Sequence, residues 1–236
     1  MLKKISYMTA GESHGKGLIG IIEGIPAGMN ITEEYIEKDL LRRMQGHGRG
    51  GRMKIEKDHA EIFSGVRHAV TLGSPISLLI KNFDWVNWED RMATGKPKKE
   101  HRKVSMPRPG HADLAGVMKY GLDDIRNVLE RSSARETAMR VAIGAVCRKL
   151  LEEVGITVGS RVYQIHNIVD NTPVSNDMGL KELNDTVDAS PVRCFDKDAE
   201  KKMMDVIDEA RNNGDSVGGS FEVIAKGLPY GLGTYI

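Results

Sequence analysis

The order in which apolar runs and helical patterns follow one another is the feature that most constrains this chain. Residues 17–26 read GLIGIIEGIP, a short aliphatic run closed by Gly and Pro, which predicts a buried strand. A helix follows. Thr32 is placed to cap it, Glu33 and Glu34 suit its first turn, and Ile36, Leu40 and Met44 share one face. Arg42, Arg43 and then Gly46 mark its end. AEIFSGV and PISLLIKN read as strands, and between Asn82 and Pro109 lies a polar stretch rich in Lys and Arg, long enough to suggest a functional loop. Ser132 to Val154 reads as one long helix stopped by Gly155, with a small face of Ala138, Ala142, Ala145 and Cys147 that implies a close neighbour. TVGSRVYQIHNI is a further strand. DAEKKMMDVIDEARNNG is an amphipathic helix with Asp198 near its start and Gly214 at its end, and SVGGSFEVIAKG begins as a strand. Strands and helices mix without a regular βαβ alternation, so the expected fold class is α+β with antiparallel sheets.

Charge and composition narrow the function. The net charge of the 236 residues is +1, so no whole-chain field draws it to nucleic acid or to a membrane surface, and any anion site must arise from local clustering of arginines. Aromatics are only 5%, so the core must rest on aliphatic and Met side chains. No apolar run is long enough to span a bilayer, and the N-terminus turns polar too early for a signal peptide. Cys147 and Cys194 form no CxxC pair, which argues against a disulfide framework or a zinc site and makes a reducing cytoplasm the expected setting. No metal-ligand spacing stands out among the seven histidines, and no GxSxG nucleophile elbow occurs.

Four clusters carry chemistry. In AGESHGKG (10–17), Gly15, Gly17 and Gly20 fit GxGxxG, but the residues that follow look like a strand, so a dinucleotide fold is rejected; the P-loop spacing is absent as well. What remains is a glycine-framed Glu12-Ser13-His14, either a close-approach loop with a titratable imidazole or a plain surface turn. RRMQGHGRGGRMK (42–54) gathers arginines suited to phosphate or carboxylate; it could equally be a solvated basic loop, and no aromatic lies among them to stack on nucleic-acid bases. In SMPRPGHAD (105–113), two prolines stiffen a turn that carries Arg108, His111 and Asp113. It is either a prepared site, with Asp113 orienting an imidazole, or a helix entry capped by Asp113. In RNVLERSSARETAMR (126–140), Ser132 and Ser133 can cap a helix with Glu136 closing a capping box, and Arg131 and Arg135 add charge where a helix N-terminus binds phosphate; the plainer reading is an ion-paired capped helix, with Arg131 on Glu136.

Together, in order and spacing, these clusters resemble the chorismate synthase family: AGESHGKGLIGIIEGIPAG, RRMQGHGRGGRMKIEKD, RPGHAD and ERSSARETAMRVAIGAV each match one of its stretches, and SPVRCFD and GLPYGLG extend the likeness. The resemblance implies a β–α–β sandwich with helices between antiparallel sheets, here a single domain over residues 1–236. It implies a lyase of aromatic amino acid biosynthesis that eliminates phosphate and a ring proton, in an anti-1,4 sense, from 5-enolpyruvylshikimate 3-phosphate at the last common step of the shikimate pathway. Reduced FMN is the implied cofactor, NADPH a possible reductant, and a cytoplasmic homotetramer the implied assembly, with neither nucleic acid nor membrane as partner. It places acid–base roles on His14 and His111, and substrate contacts on Ser13, Arg49, Arg108 and Arg135. Cofactor contacts fall on Arg43, Arg49, Arg131, Ser132 and Ser133. Members run beyond this length and carry later flavin contacts, so the sequence reads as an N-terminal part that keeps one sheet and its helices. The alternative is a non-catalytic FMN- or phosphate-binding piece of the same scaffold; a polyanion binder using the loops around Arg49 and Lys98 is the more distant rival.

Overall fold

The computed structural model describes residues 4–51 and 55–232. They form two compact units, one of the described residues up to 41 and from 51 to 146, the other of residues 42–50 and the described residues from 147 on. Every strand pair is antiparallel and helices are interspersed, an α+β fold as expected. Arg52 and Lys54 of the arginine cluster lie outside the described residues. Among the described residues no helix is long and apolar enough to cross a membrane, and no cluster of His, Cys, Asp and Glu is arranged to hold a metal ion.

The first unit is built on a four-stranded sheet. Its strands are β1 (Ser6–Ala10), β2 (Gly17–Glu23), β3 (Ala60–Ser64) and β6 (Ile76–Lys81), in the spatial order β1-β2-β6-β3. A small hairpin of β4 (Val66–Arg67) and β5 (Val70–Thr71) links β3 to β6. The apolar run of β2 is not buried on both faces. Leu18 and Ile22 are fully buried, whereas Ile19 and Ile21 remain 47% and 45% exposed, because only one face of the sheet is covered. On the covered face lie the buried side chains of β6, Ile76, Leu78 and Ile80, which recur at the two-residue period of a strand. Helix α1 (Glu33–Met44) buries Ile36 and Leu40, starts on a hydrogen bond from Tyr35 N–H to Thr32 Oγ1, and fastens to β3 through Ile62 N–H on Glu33 Oε1 (2.7 Å).

The long helix predicted from Ser132 is shorter at its start. A one-turn helix α3 (Arg126–Leu129) and a 3-10 turn at Ala134–Glu136 precede α4 (Thr137–Glu153). Ser133 Oγ does accept from Arg135 N–H (3.4 Å), but Glu136 does not close a capping box. Its carboxylate is drawn instead to Thr9 Oγ1 (2.7 Å) and to Arg140 Nε (2.8 Å). The small face of α4 is buried at Ala138, Ala142 and Ala145 while Cys147 is half-buried, and the close approach is made by Gly20 of β2, where a Cβ would come within 2.5 Å of Met139 Sδ. Helix α2 (Asp113–Tyr120), which the sequence offered only as an alternative, completes this unit.

The second unit centres on β7 (Thr157–Ile165), flanked by β8 (Ile168–Val169) and β9 (Gly219–Lys226). The chain therefore holds a four-stranded and a three-stranded sheet, not the single sheet expected of an N-terminal part. Helix α5 (Leu180–Asp188) buries Leu180, Leu183 and Val187, and the lack of a side chain at Gly159 lets Leu180 and Leu183 settle onto β7. Asn184 caps the open edge of that strand, accepting from Ser160 N–H and donating to Val158 O, both at 3.2 Å. Helix α6 (Lys197–Asn212) is capped by Asp196, whose carboxylate accepts from Asp198 and Ala199 N–H, and it buries Ala199 and Met203 with Val192 and Cys194.

Two glycines separate backbone strain from steric contact. Both Gly11 (φ +108°) and Gly28 (φ +93°) adopt a conformation that L side chains avoid; a Cβ at Gly11 would sit 2.4 Å from Gly17 O, whereas at Gly28 nothing lies within 4 Å. Gly28→Ala is expected to cost about 1–2 kcal/mol from conformation alone. Gly11→Ala is expected to cost about 3 kcal/mol or more, because backbone must also move. Urea midpoints check this; equal losses would show that the turn after β1 is not sterically closed.

Candidate active site

Strand register builds the first part of the site. Gly17 of β2 pairs with Lys81 of β6, so the residue after β6, Asn82, emerges beside the Gly11–Lys16 turn. Its N–H donates to Lys16 O (3.2 Å), and its amide nitrogen donates to Glu12 O (3.1 Å) and Gly15 O (2.8 Å). The amide oxygen in turn accepts from Arg135 Nε (2.9 Å). Arg135 is buried, its side chain 2% exposed, and its guanidinium meets the buried carboxylates of Glu56 (3.5 Å) and Asp58. The arginine expected to grip substrate is thus engaged by protein groups and fastens the turn that carries Ser13 and His14.

The turn is tied down a second time from α3. Ser13, itself buried, donates its N–H to Glu130 O (2.9 Å), and His14 N–H donates to Glu130 Oε2 (2.9 Å). The same oxygen lies 2.8 Å from His14 Nδ1, while Glu130 Oε1 accepts from Arg126 Nη1 (3.1 Å). The imidazole stacks on Trp88, centroids 4.0 Å apart and planes inclined by 25°. Trp88 donates its indole N–H to Asp84 Oδ2 (3.0 Å), and the guanidiniums of Arg91 and Arg126 each lie 5.3 Å from its ring centroid. Burial pushes the Glu130 carboxyl up, but the hydrogen bonds and charge of His14, with Arg126, outweigh it and hold the group below the usual carboxylate range. Glu130, Arg126, Trp88 and Asp84 were not singled out from the sequence; the length of the polar stretch after Asn82 was the only signal of Trp88 and Asp84.

At the RPGHAD turn a helix does begin, but Asp113 does not cap it: Ala112 holds the cap position with no side-chain hydrogen bond. Asp113 is the first residue of α2, and it also faces back into the turn. It accepts from Arg108 N–H and Nε (both 3.0 Å) and meets His111 Nδ1 at 2.5 Å. Arg108 Nη2 lies 2.9 Å from His111 Nε2, and half of the Arg108 side chain is exposed while Asp113 is buried.

Arg131, Ser132 and Ser133 line a cleft of about 450 Å³ with Glu136, Thr137 and Arg140. Arg131 Nη2 donates to Thr9 O and Oγ1 (both 2.8 Å), whereas the buried Nη1 has no hydrogen-bond partner and lies 3.7 Å from Glu136 Oε1. A cleft lined by two serines and by an arginine with an orphaned guanidinium nitrogen suits an anionic or carbonyl-bearing ligand, so these residues fit a group such as FMN. Arg43 and Arg49 belong to the second unit. Arg43 is half-buried in the last turn of α1, and exposed Arg49 donates Nε to Gln45 O (2.9 Å). Arg49 lines a cavity of about 860 Å³ with Arg42, His47, Asp188 and Arg193.

The Asp113 carboxyl is held down to about 2, first by the Arg108 side chain, against its own burial, and further by Arg108 N–H and His111. A carboxyl depressed in the folded state stabilises it above the unfolded value, and that stability is lost as pH falls toward the folded one. This group is expected to contribute a loss of about 1 kcal/mol between about pH 5 and about pH 3. Urea midpoints of wild type and Asp113→Asn across that window check it; parallel pH profiles would remove the assignment.

The family model of chorismate synthase matches residues 5–236. Chorismate synthase of Listeria welshimeri is 53% identical over 233 residues, and that of Bacillus subtilis 54% identical over 236. Each match covers 98% of this chain and 60% of the relative. A crystal structure of chorismate synthase superposes with a TM-score of 0.75 at 40% identity, covering 97% of this chain and 60% of that one. The chain therefore spans about 60% of the length of the relatives it matches, and with them it belongs to the chorismate synthase family.

Proposed function

We propose that this chain serves the anti-1,4-elimination of phosphate from 5-enolpyruvylshikimate 3-phosphate, giving chorismate. The observation that carries the reading is the family match across residues 5–236, within which the clusters around His14 and His111 are each held by a buried carboxylate. In this reading His14 delivers a proton to the departing phosphate, and His111, oriented by Asp113, protonates or hydrogen-bonds the cofactor through Nε2 once Arg108 Nη2 has moved from it. Arg108, half exposed beside His111, supplies charge for the substrate's phosphate or carboxylates. Arg135 keeps the His14 turn in register, and the substrate contact expected of it requires its guanidinium to turn from Glu56 and Asp58.

Arg131, Ser132 and Ser133 are the residues assigned to reduced FMN. Reduced FMN held there would supply electron density to the elimination, with no net redox change. Arg43 and Arg49 are assigned to the cofactor side, with NADPH as reductant, and Ser13 and Arg49 to the substrate. A cytoplasmic homotetramer is the assembly proposed for the whole protein.

Anaerobic turnover of 5-enolpyruvylshikimate 3-phosphate with reduced FMN tests the reading. Chorismate formation is expected; absence of both turnover and substrate-dependent flavin binding would overturn it, and flavin binding alone would reduce the chain to a binding module. His14→Ala and His111→Ala are each expected to lower kcat by roughly two to four orders of magnitude while flavin affinity holds. Unchanged rates in both would sink the acid–base roles.

A further inference from the structure

We propose that Glu130 is the positioning residue of His14: its buried carboxylate keeps the neutral imidazole's proton on Nδ1 and so makes Nε2 the nitrogen that exchanges protons. The inference rests on the acid–base reading of His14 given above and adds to it the group that sets the ring's tautomer.

Three features of the geometry carry it. First, a single oxygen, Glu130 Oε2, bridges the His14 backbone N–H (2.9 Å) and Nδ1 (2.8 Å), so it fixes the side-chain torsion and the ring together. An ionised carboxylate can only accept, so the shared proton on that contact belongs to Nδ1. Second, the carboxylate has no room to turn away. Its side chain is 0% exposed, its other oxygen is held by Arg126 Nη1 (3.1 Å), and its own backbone carbonyl holds Ser13 N–H (2.9 Å). Residues 13 and 14 are thus both anchored on residue 130, across a separation of 116 positions for the His14 bonds. Third, Trp88 lies over the ring at 4.0 Å and blocks rotation out of its plane, while Nε2 points to the side where Asp84 Oδ2 lies 3.8 Å away.

Imidazole in water prefers its proton on Nε2, and the partner of one ring nitrogen decides the state of the other. The Glu130 contact reverses that preference. In the reversed tautomer Nε2 carries the lone pair, takes up a proton, and delivers it to a departing oxygen. Each delivered proton leaves Nε2 and bonds to that oxygen, and the Nδ1–H stays on Glu130. Loss of the carboxylate leaves the ring present but with its proton mainly on the wrong nitrogen, which lowers turnover without removing a substrate contact.

The test is long-range proton–nitrogen NMR on the full 236-residue chain labelled with nitrogen-15 histidine, at a pH where the rings are neutral. The His14 signal is assigned by its disappearance in His14→Asn. Wild type is expected to show a protonated Nδ1 and an unprotonated Nε2; the opposite pattern overturns the proposal by itself, whether or not any variant folds. In Glu130→Gln the population is expected to move toward Nε2–H. Its kcat is expected to fall about 10- to 100-fold, with KM changed by less than about 3-fold. An unaltered tautomer with wild-type kcat in that variant also overturns it. If wild type shows Nδ1–H yet forms no chorismate, the positioning stands and the acid–base reading falls, so the two are separable.

Discussion

One buried side chain, Asn82, holds the first unit's chemistry in register with its sheet. The β2–β6 ladder delivers it beside the Gly11–Lys16 turn, where its amide satisfies two turn carbonyls and accepts from Arg135. Arg135 is tolerable in that interior because Glu56 and Asp58 meet its charge; removing one partner of such a cluster typically costs about 3–5 kcal/mol. The network therefore acts less as a source of net stability than as a means of selecting one geometry for the turn. A turn with two glycines in six residues, Gly11 and Gly15, has many conformations available, and its carbonyls are held in one of them.

Local charge, not net charge, organises the rest. The chain is nearly neutral, yet its arginines are distributed among buried carboxylates, aromatic faces and cavity walls. Arg126 serves Glu130 and Trp88 at once, Arg108 serves Asp113 and His111, and Arg193 pairs with Asp188 (3.0 Å) in the second unit. The carboxylates that receive them, Glu130 and Asp113, are the ones that hold the two histidines. Each histidine thus sits on an ionised acceptor whose own charge is already balanced, so the ring is oriented without an unpaired buried charge.

Local signals made much of this legible. Short apolar runs gave β2, β3, β6, β7 and β9, Thr32 and the paired glutamates gave the start of α1, and the proline-stiffened RPGHAD turn gave the His111 cluster, whose members lie within five residues of one another. Long-range contacts set the errors. Ser132, Ser133 and Glu136 have the spacing of a capped helix, but Thr9, 127 positions away, draws off the glutamate and the helix begins at Thr137. Glu130 could not be matched to His14 without the sheet that brings them together. Helix α2 was legible only as an entry at Asp113, and α5 was passed over because its apolar repeat is short. Leu180, Leu183 and Val187 do recur at helical spacing, but within only nine residues.

The stacking of Trp88 on His14 also has an optical consequence. The chain has two tryptophans, Trp85 and Trp88, and both lie in the same short segment after β6, one within the 3-10 turn Phe83–Asn87 and one closing it. Its intrinsic emission is therefore not an average over the fold. The part from Trp88 originates beside one imidazole, two guanidiniums and one carboxylate, and so it reports the electrostatic state of that corner of the molecule.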